Sequence, residues 1–322
     1  MQNMRAIVKN GNSVAVREIA RPVLKSASDV LIRVKLAGLC RTDVFAAEGK
    51  IKCAENLVLG HEFAGVIEEA GSAASGFRPG DRVTVMPVMP CGACALCTSN
   101  QHDKCQNTSM LGIDHHGAFA GYVSVPASAV YKLPASLSFK HGAYSEPVAA
   151  SISVIKSGIQ PHQKGLIYGD NRFSHLISRI LKAYNFGNVS IYAPASGQAL
   201  EENAYDFAIE TLATTQTMDD IFRALKPGGR VVLKSRKHEH IGINFNTAIR
   251  KQITLSAVNY GDFQEAIQIM ADGRIQVDDL LGDVHALEDF EKVFERSKTH
   301  ESAKAFFCPS NDNPDNDDVR DS

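Results

Sequence analysis

Several features that mark special classes of protein are missing from this sequence. No apolar run approaches the roughly 18 residues of a membrane span, and no secretory-type apolar segment follows the first residues. We therefore expect a cytoplasmic protein without a membrane partner. Neither sign of charge predominates, because 34 Lys and Arg stand against 36 Asp and Glu, so nucleic acid is not an expected partner either. The 322 residues, 44% of them hydrophobic, suffice for about two globular domains.

Acidic residues are concentrated at the C-terminal end of the sequence. The last twelve residues, 311–322, contain five Asp and one Arg and almost nothing apolar. A segment of this composition has too little apolar surface to form a core. Residues 310–322 are therefore predicted to be a disordered acidic tail.

Cysteines are clustered rather than scattered. Four of the seven, Cys91, Cys94, Cys97 and Cys105, lie within fifteen residues. Without an export signal, such a cluster favours metal ligation over disulfides. Short spacings allow a loop to wrap around one tetrahedral zinc ion, and four protein thiolates leave no position open for a substrate. The pattern predicts a structural zinc site, with chance clustering or redox cysteines as the alternatives.

A second, mixed set of donor residues is spread over three segments. Cys40 follows one predicted strand, His61 and Glu62 precede another, and Glu146 lies where the sequence changes character. Thiolate, imidazole and carboxylate are the ligands that catalytic zinc uses, with one position open to water or substrate. A lone Cys is more often a small buried residue, so the spacing alone leaves a catalytic zinc and ordinary buried side chains as open alternatives.

The pattern of apolar residues changes near residue 145. Before it, alternating apolar and polar residues and frequent turn signals, as in the predicted hairpin at 5–19, indicate a β-rich barrel or sandwich. After it, short apolar strands alternate with segments of helical period, which predicts a parallel α/β sheet. The chain is therefore predicted to contain one β-rich and one α/β domain.

Five segments carry a close resemblance to one family. They are GLCRTDV (38–44), LGHEFAGVIEEAG (59–71), GAFAGYVSVP (117–126), SEPVAAS (145–151) and LKPGGRVVLKS (225–235). Together with the four-cysteine loop, they resemble the zinc-dependent medium-chain dehydrogenases, the relatives of alcohol, polyol and threonine dehydrogenases, over about residues 4–309. The resemblance implies an α/β protein with a GroES-like β-barrel catalytic domain (1–147 and 274–309) and a Rossmann-like doubly wound parallel sheet (148–273).

The resemblance also implies the roles of individual residues. Cys40 and His61 would ligate a catalytic zinc ion, and Glu62 or Glu146 would complete or flank this ligand set. With the four-cysteine loop, this makes two zinc ions per chain. The implied chemistry is Lewis-acid activation of a small molecule's hydroxyl or carbonyl group, with hydride transfer to or from NAD(P).

Two further residues near Cys40 match the family pattern. Thr42 would pass the proton of the alcohol outward, and Asp43 would orient the ligand histidine. Relatives of this family are dimers or tetramers, so the resemblance also implies a homodimer or homotetramer.

The cofactor-binding segment departs from the family. Dinucleotide sites of this fold use Gly-x-Gly-x-x-Gly between the first strand and first helix, but here the segment reads GDNRFS (169–174) and keeps only Gly169. The Asn171 side chain is expected to take space that the phosphate needs. The candidate cofactor-binding residues are Gly169, Asn171 and Arg172, with Lys304 as a candidate phosphate contact near the C-terminus.

The second strand of the α/β domain also lacks the residue that should bind adenosine ribose. It ends in IYAPASG (191–197), and no charged residue appears before Glu201. The twelve residues 194–205 can bridge two strands but cannot hold a further strand and helix. We therefore expect a truncated sheet of five strands, and NAD(P) binding stays open. The alternative to an oxidoreductase is a zinc-dependent lyase, isomerase or hydrolase, or a pseudoenzyme, on the same scaffold.

Overall fold

The computed structural model describes residues 2–236, 239–298 and 302–310, so all but the first residue of the predicted acidic tail at 310–322 lies outside the described residues. The chain divides into two compact units, residues 1–146 with 281–322, and residues 147–280. The expected division placed 274–280 with the first domain, whereas these residues belong to the second unit. Arg179 explains the difference, because it donates to the Gln276 carbonyl and pairs with Asp279.

The first unit contains most of the strands. In chain order its elements are β1 (Asn3–Asn10), β2 (Ser13–Ala20), β3 (Asp29–Gly38), α1 (Arg41–Ala47), β4 (Leu57–Val58), β5 (Glu62–Ala70), β6 (Arg82–Val85), β7 (Val88–Met89), α2 (Ala95–Thr98), β8 (Ser109–Met110), β9 (Tyr122–Pro126), β10 (Val130–Lys132) and α3 (Phe139–Ile152), which continues into the second unit.

The second unit and the return to the first complete the fold. The second unit has β11 (Gly165–Tyr168), α4 (Arg172–Ala183), β12 (Val189–Tyr192), β13 (Tyr205–Glu210), α5 (Thr215–Ala224), β14 (Leu225–Leu233), α6 (Phe245–Lys251), β15 (Thr254–Ala257) and α7 (Phe263–Ala271). The first unit then resumes with β16 (Leu281–Ala286), α8 (Phe290–Ser297) and β17 (Lys304–Cys308).

The first unit is built around a seven-stranded sheet in which β3 is the central strand. The order is β10-β6-β5-β3-β17-β16, with β9 also paired to β3. Nine of the ten β3 residues are buried, including the charged residues Asp29 and Lys35. β1 and β2 form the predicted hairpin around Gly11, and β1 also pairs with β4. The expected β-rich domain is confirmed.

The second unit is a five-stranded, entirely parallel sheet in the order β12-β11-β13-β14-β15. β12 lies on one side of β11, whereas β13, β14 and β15 follow on its other side. The chain therefore changes direction across the sheet after β12, which is the doubly wound arrangement. Between β12 and β13 the chain makes only a short 3₁₀ turn at Pro194–Ser196. The prediction of a truncated Rossmann-like sheet is therefore confirmed, and β12 is one of its two edge strands.

The described helices have at most 14 residues. Within the described residues, none is long and apolar enough to cross a membrane.

Candidate functional site

The candidate metal site is organised by one buried carboxylate at the start of α1. Cys40 is the residue before the helix, in extended conformation, and Asp43 Oδ2 accepts its backbone N–H at 3.0 Å. Asp43 Oδ1 accepts the Gly60 N–H at 3.1 Å and lies 3.1 Å from His61 Nδ1. The side chain is fully buried. Asp43 therefore links the segment that carries Cys40 to the segment that carries His61.

His61 is oriented as a metal ligand. Because Asp43 holds Nδ1, the neutral imidazole keeps its proton on Nδ1 and presents the Nε2 lone pair to a metal ion that displaces the Nε2 proton. Nε2 is buried and has no hydrogen-bond partner among the described residues. Burial opposes protonation, but the Asp43 carboxylate outweighs it and holds the pKa of His61 well above its usual value. A buried, unpartnered imidazole nitrogen requires a partner such as a cation.

Cys40, His61 and Glu62 form one ligand cluster. One donor atom from each lies within 4.8 Å of the others. These donors and the orphaned His61 Nε2 fit zinc, which binds thiolate, imidazole and carboxylate in its catalytic sites. The Thr42 hydroxyl lies 3.7 Å from Cys40 Sγ, next to the cluster. The structure thus brings Cys40 together with His61 and Glu62, which lie in a separate segment of the sequence.

Glu62 forms a buried ion pair with Lys304. Both side chains are fully buried, and Lys304 Nζ also donates to the Leu39 carbonyl at 3.0 Å. Burial raises the pKa of Glu62, Lys304 opposes this shift, and the nearby Glu146 carboxylate adds to it. Glu146 is buried close to this pair, but the cluster of donor atoms within 4.8 Å does not include it.

Lys304 therefore has a different role from the expected one. The sequence suggested that it contacts a cofactor phosphate, whereas its ammonium group is enclosed between Glu62 and the Leu39 carbonyl. The reason is topological, because β17 pairs with β3 directly beside the β3–β5 pair. β17 and β5 flank β3 on opposite sides, and the side chains of Lys304 and Glu62 meet over Gly38 of β3.

The four-cysteine loop forms the second cluster of metal donors. Its four Sγ atoms lie within 4.8 Å of one another, and no disulfide joins them. Backbone N–H groups of the loop donate to the sulfurs, for example Cys94 to Cys91 at 3.4 Å and Asn107 to Cys105 at 3.4 Å. The Cys97 N–H lowers the pKa of the Cys94 thiol to about 6. Four converging sulfurs fit a closed, structural zinc site.

The turn between β11 and α4 is a closed network of side chains. Asn171 Oδ1 accepts the backbone N–H groups of Phe173 and Ser174, at 2.9 and 3.2 Å. Its Nδ2 donates to Thr211 Oγ1 at 3.1 Å, and Ser174 Oγ lies 2.9 Å from the same oxygen. The Arg172 guanidinium lies 5.7 Å from the Phe173 ring.

Only Gly169 keeps its expected conformation in this turn. It has φ +118°, and a Cβ built there would lie 2.4 Å from Thr211 Oγ1. Thr211 was not singled out from the sequence. The available signal was its position directly after a buried parallel strand, because such strand ends meet at one edge of the sheet.

These residues fit a dinucleotide poorly. The amides that begin α4 and could bind pyrophosphate already have an acceptor within the chain. No acidic or basic residue lies between β12 and Glu201 to bind the ribose of the cofactor. The donor residues for zinc are therefore present in the structure, whereas the parts that would recognise phosphate and adenosine are altered.

Comparison with known proteins agrees with the fold. The alcohol dehydrogenase GroES-like domain matches residues 26–135, which contain Cys40, His61 and the four-cysteine loop. A protein assigned as D-xylulose reductase A in Emericella nidulans is 26% identical, over 95% of this chain and 96% of its own length. The chain is thus similar to the zinc-dependent medium-chain dehydrogenases over nearly its whole length.

Solved structures of this family share the fold along nearly the whole chain. A protein assigned as a zinc-binding dehydrogenase from Sinorhizobium meliloti, solved with NADP, has a TM-score of 0.87 at 24% identity, with 96% of this chain and 100% of that chain covered. The 2R,3R-butanediol dehydrogenase from Bacillus subtilis has a TM-score of 0.83 at 22% identity, with 95% and 100% covered. At these identities the structures support the fold alone.

Proposed function

We propose that this medium-chain dehydrogenase is a zinc-dependent oxidoreductase that acts on the hydroxyl or carbonyl group of a small polyol or related alcohol. The observation that carries the proposal is the buried, unpartnered His61 Nε2 beside Cys40 and Glu62. The relatives support the substrate class, since their names include D-xylulose reductase and 2R,3R-butanediol dehydrogenase. We propose two zinc ions per chain, one at this cluster and one in the four-cysteine loop.

Each residue of the candidate zinc site would have its own role. Zinc at this cluster would supply Lewis acidity toward a substrate oxygen. Cys40 and His61 would hold it, and Asp43 keeps the imidazole in the tautomer that presents Nε2. Glu62, paired with Lys304, would complete or flank the ligand set with Glu146. Thr42 Oγ1, which lies 3.7 Å from Cys40 Sγ, would accept the hydroxyl proton of a substrate and pass its own proton outward.

The remaining properties follow from family and composition. We propose a homodimer or homotetramer, and a reducing cytoplasmic location that suits seven cysteines without a disulfide among the described residues. A non-redox zinc enzyme, such as a lyase, isomerase or hydrolase, is the second candidate. The closed turn at Asn171 favours it, because this turn lacks free amides for a dinucleotide.

The test is an assay of the zinc-loaded protein with xylitol, 2,3-butanediol and galactitol 1-phosphate at millimolar NAD⁺ or NADP⁺. We expect absorbance at 340 nm to rise with at least one substrate, and the activity to disappear in His61→Ala and after zinc chelation. The Cys53→Ala variant, which changes a thiol outside both clusters, should keep it. Consumption of substrate without nucleotide reduction would contradict the redox proposal and support the second candidate.

A further inference from the structure

The start of helix α4 is the part of the second unit in which the structure and the family pattern disagree most. An α-helix N-terminus leaves its first amides without partners inside the helix, and in doubly wound folds those amides bind the cofactor pyrophosphate. Here the side chain of Asn171 supplies an internal acceptor. Its Oδ1 receives the N–H groups of Phe173 at 2.9 Å and Ser174 at 3.2 Å.

Thr211 holds the other end of the Asn171 side chain and is itself fixed by two hydrogen bonds. The Asn171 amide nitrogen donates to Thr211 Oγ1 at 3.1 Å. Thr211 Oγ1 in turn donates to the Tyr168 carbonyl at 3.0 Å and lies 2.9 Å from Ser174 Oγ. Ser174 is fully buried. Both ends of the Asn171 amide group therefore have partners, and rotating it away from the helix would break its hydrogen bonds to Phe173, Ser174 and Thr211.

The pattern differs from a simple loss of glycine. A serine or alanine at position 171 would leave more of the space open, whereas asparagine fills it and also takes the amides that bind phosphate. The backbone of Asn171 is extended, with φ −145°, so a glycine at this position is compatible with the same turn. The Asn171 side chain therefore obstructs phosphate binding, whereas its backbone conformation does not.

We infer that Asn171 acts as an internal substitute for the cofactor phosphate, and that its side chain limits the affinity of this chain for dinucleotides. The inference goes beyond the proposed function because it concerns binding alone and does not depend on zinc or on a substrate. It predicts that removing the side chain increases affinity for every ligand that presents the same phosphate group. NADH, NADPH and ADP are suitable probes, since ADP carries the phosphates without nicotinamide.

The experiment measures dissociation constants by isothermal titration calorimetry with the full chain. We expect Asn171→Gly to bind NADH and ADP at least about tenfold more tightly than the wild-type protein, which corresponds to ~1.4 kcal/mol. Replacing an Asn cap by Gly costs only a few tenths of a kcal/mol, so the variant should fold. A melting curve checks this.

Two controls separate the side chain from general loosening of the fold. Asn244→Gly removes the corresponding cap of α6, where the Asn244 side chain accepts the Thr247 N–H, and it should bind the nucleotides as the wild type does. Asn171→Asp keeps the cap but places a negative charge where phosphate would lie, so it should show no gain. A tenfold gain in Asn171→Gly alone supports the inference. An unchanged or weaker affinity in that variant, or an equal gain in Asn244→Gly or Asn171→Asp, overturns it.

Discussion

At the scale of single residues, the metal site depends on partners that do not themselves bind metal. Asp43 accepts hydrogen bonds from the backbone of Cys40 and Gly60 and holds His61 Nδ1. A carboxylate that ties two ligand segments together before a metal arrives reduces the cost of assembling the site. The affinity of the site for zinc is therefore expected to depend on Asp43 almost as strongly as on the ligands.

The Asp43→Asn variant tests this dependence. An amide has one acceptor oxygen and one donor nitrogen, so its NH₂ group must face at least one of the three donors that Asp43 now accepts. We expect the affinity for the zinc ion at Cys40 and His61 to fall about 10- to 100-fold. Competition with a chromophoric chelator measures it. Asp29→Asn, which changes a buried carboxylate that accepts the Ser26 N–H, should leave zinc affinity unchanged.

The buried pair of Glu62 and Lys304 is a second interaction between single residues. Because both side chains are fully buried, truncating the lysine leaves a carboxylate without its counter-charge. We expect Lys304→Met to lower the free energy of unfolding by about 3–5 kcal/mol, measured by urea denaturation. Adding Glu62→Gln in the same chain should recover part of this loss. Lys298→Met, at an exposed pair with Glu48, should cost less than about 1 kcal/mol, and an equal loss there would contradict the argument.

At the scale of elements, short loops and strand ends carry the chemistry while the sheets position them. The loop from Cys91 to Cys105 contains one four-residue helix and otherwise has little regular structure. Its packing depends on sulfurs that converge on one point. Cys97 is the buried member of the four, and burial raises the pKa of its thiol to about 12, so metal binding must offset the cost of ionising it.

The Cys97→Ala variant should therefore lose one zinc ion per chain and become sensitive to proteolysis between residues 91 and 105. The zinc at Cys40 and His61 should stay, because the two clusters share no ligand. Metal analysis combined with limited proteolysis and mass spectrometry reads both effects. Cleavage elsewhere at the same rate, or loss of both zinc ions, would show that the loop is not an independent structural element.

In the second unit, Asp206 fixes the start of β13 to its neighbours. Its carboxylate accepts the Lys164 N–H and pairs with Lys226, each at 2.8 Å, and the Lys226 contact holds the pKa of Asp206 below its ordinary value of 3.8. A lowered carboxyl pKa contributes stability that is complete above the unfolded-state pKa and is lost as the pH falls through the folded-state value.

Asp206→Asn should accordingly destabilise the protein by about 1 kcal/mol at neutral pH. The difference from wild type should shrink below about pH 4 and vanish at lower pH. Urea denaturation at a series of pH values measures it. Asp219→Asn, at a carboxylate of α5, should follow the wild-type curve throughout. A difference that persists unchanged at pH 2 would contradict the assigned role of Asp206.

Local patterns were sufficient to predict most of the elements. The alternation at 5–19 predicted the β1–β2 hairpin, and the short segment 194–205 predicted the five-stranded sheet, because both depend on chain geometry within a few residues. Helix α1 was not predicted. It begins after Cys40, whose backbone N–H donates to the Asp43 side chain. The same side chain contacts Gly60 and His61, which are distant in sequence.

Contacts between distant segments also explain what the sequence could not give at the site. Cys40, His61 and Glu62 could be proposed from the motif, but the pairing of Glu62 with Lys304 requires knowing that β17 lies beside β3. Asn171 was recognised as an obstacle to phosphate. Its hydrogen bonds to Thr211 depend on the neighbouring strand β13 and appear only in the fold.

At the scale of the whole molecule, the two units have diverged to different degrees from the family pattern. The first unit keeps every donor that two zinc sites require. The second unit keeps the parallel sheet but lacks one strand between β12 and β13, lacks an acidic or basic residue at the end of β12, and closes its phosphate turn with Asn171. The donor residues for zinc are therefore the functional feature of this chain that matches the family pattern best.

The measurement that tests the two proposed zinc sites most directly is zinc X-ray absorption spectroscopy of the purified protein, combined with metal analysis. We predict two zinc ions per chain, with an average of about 2.5 sulfur neighbours, because one site offers four thiolates and the other offers one. The His61→Ala variant should retain one zinc ion with four sulfur neighbours. A single zinc ion per chain in the wild type, surrounded by four sulfurs, would contradict the account.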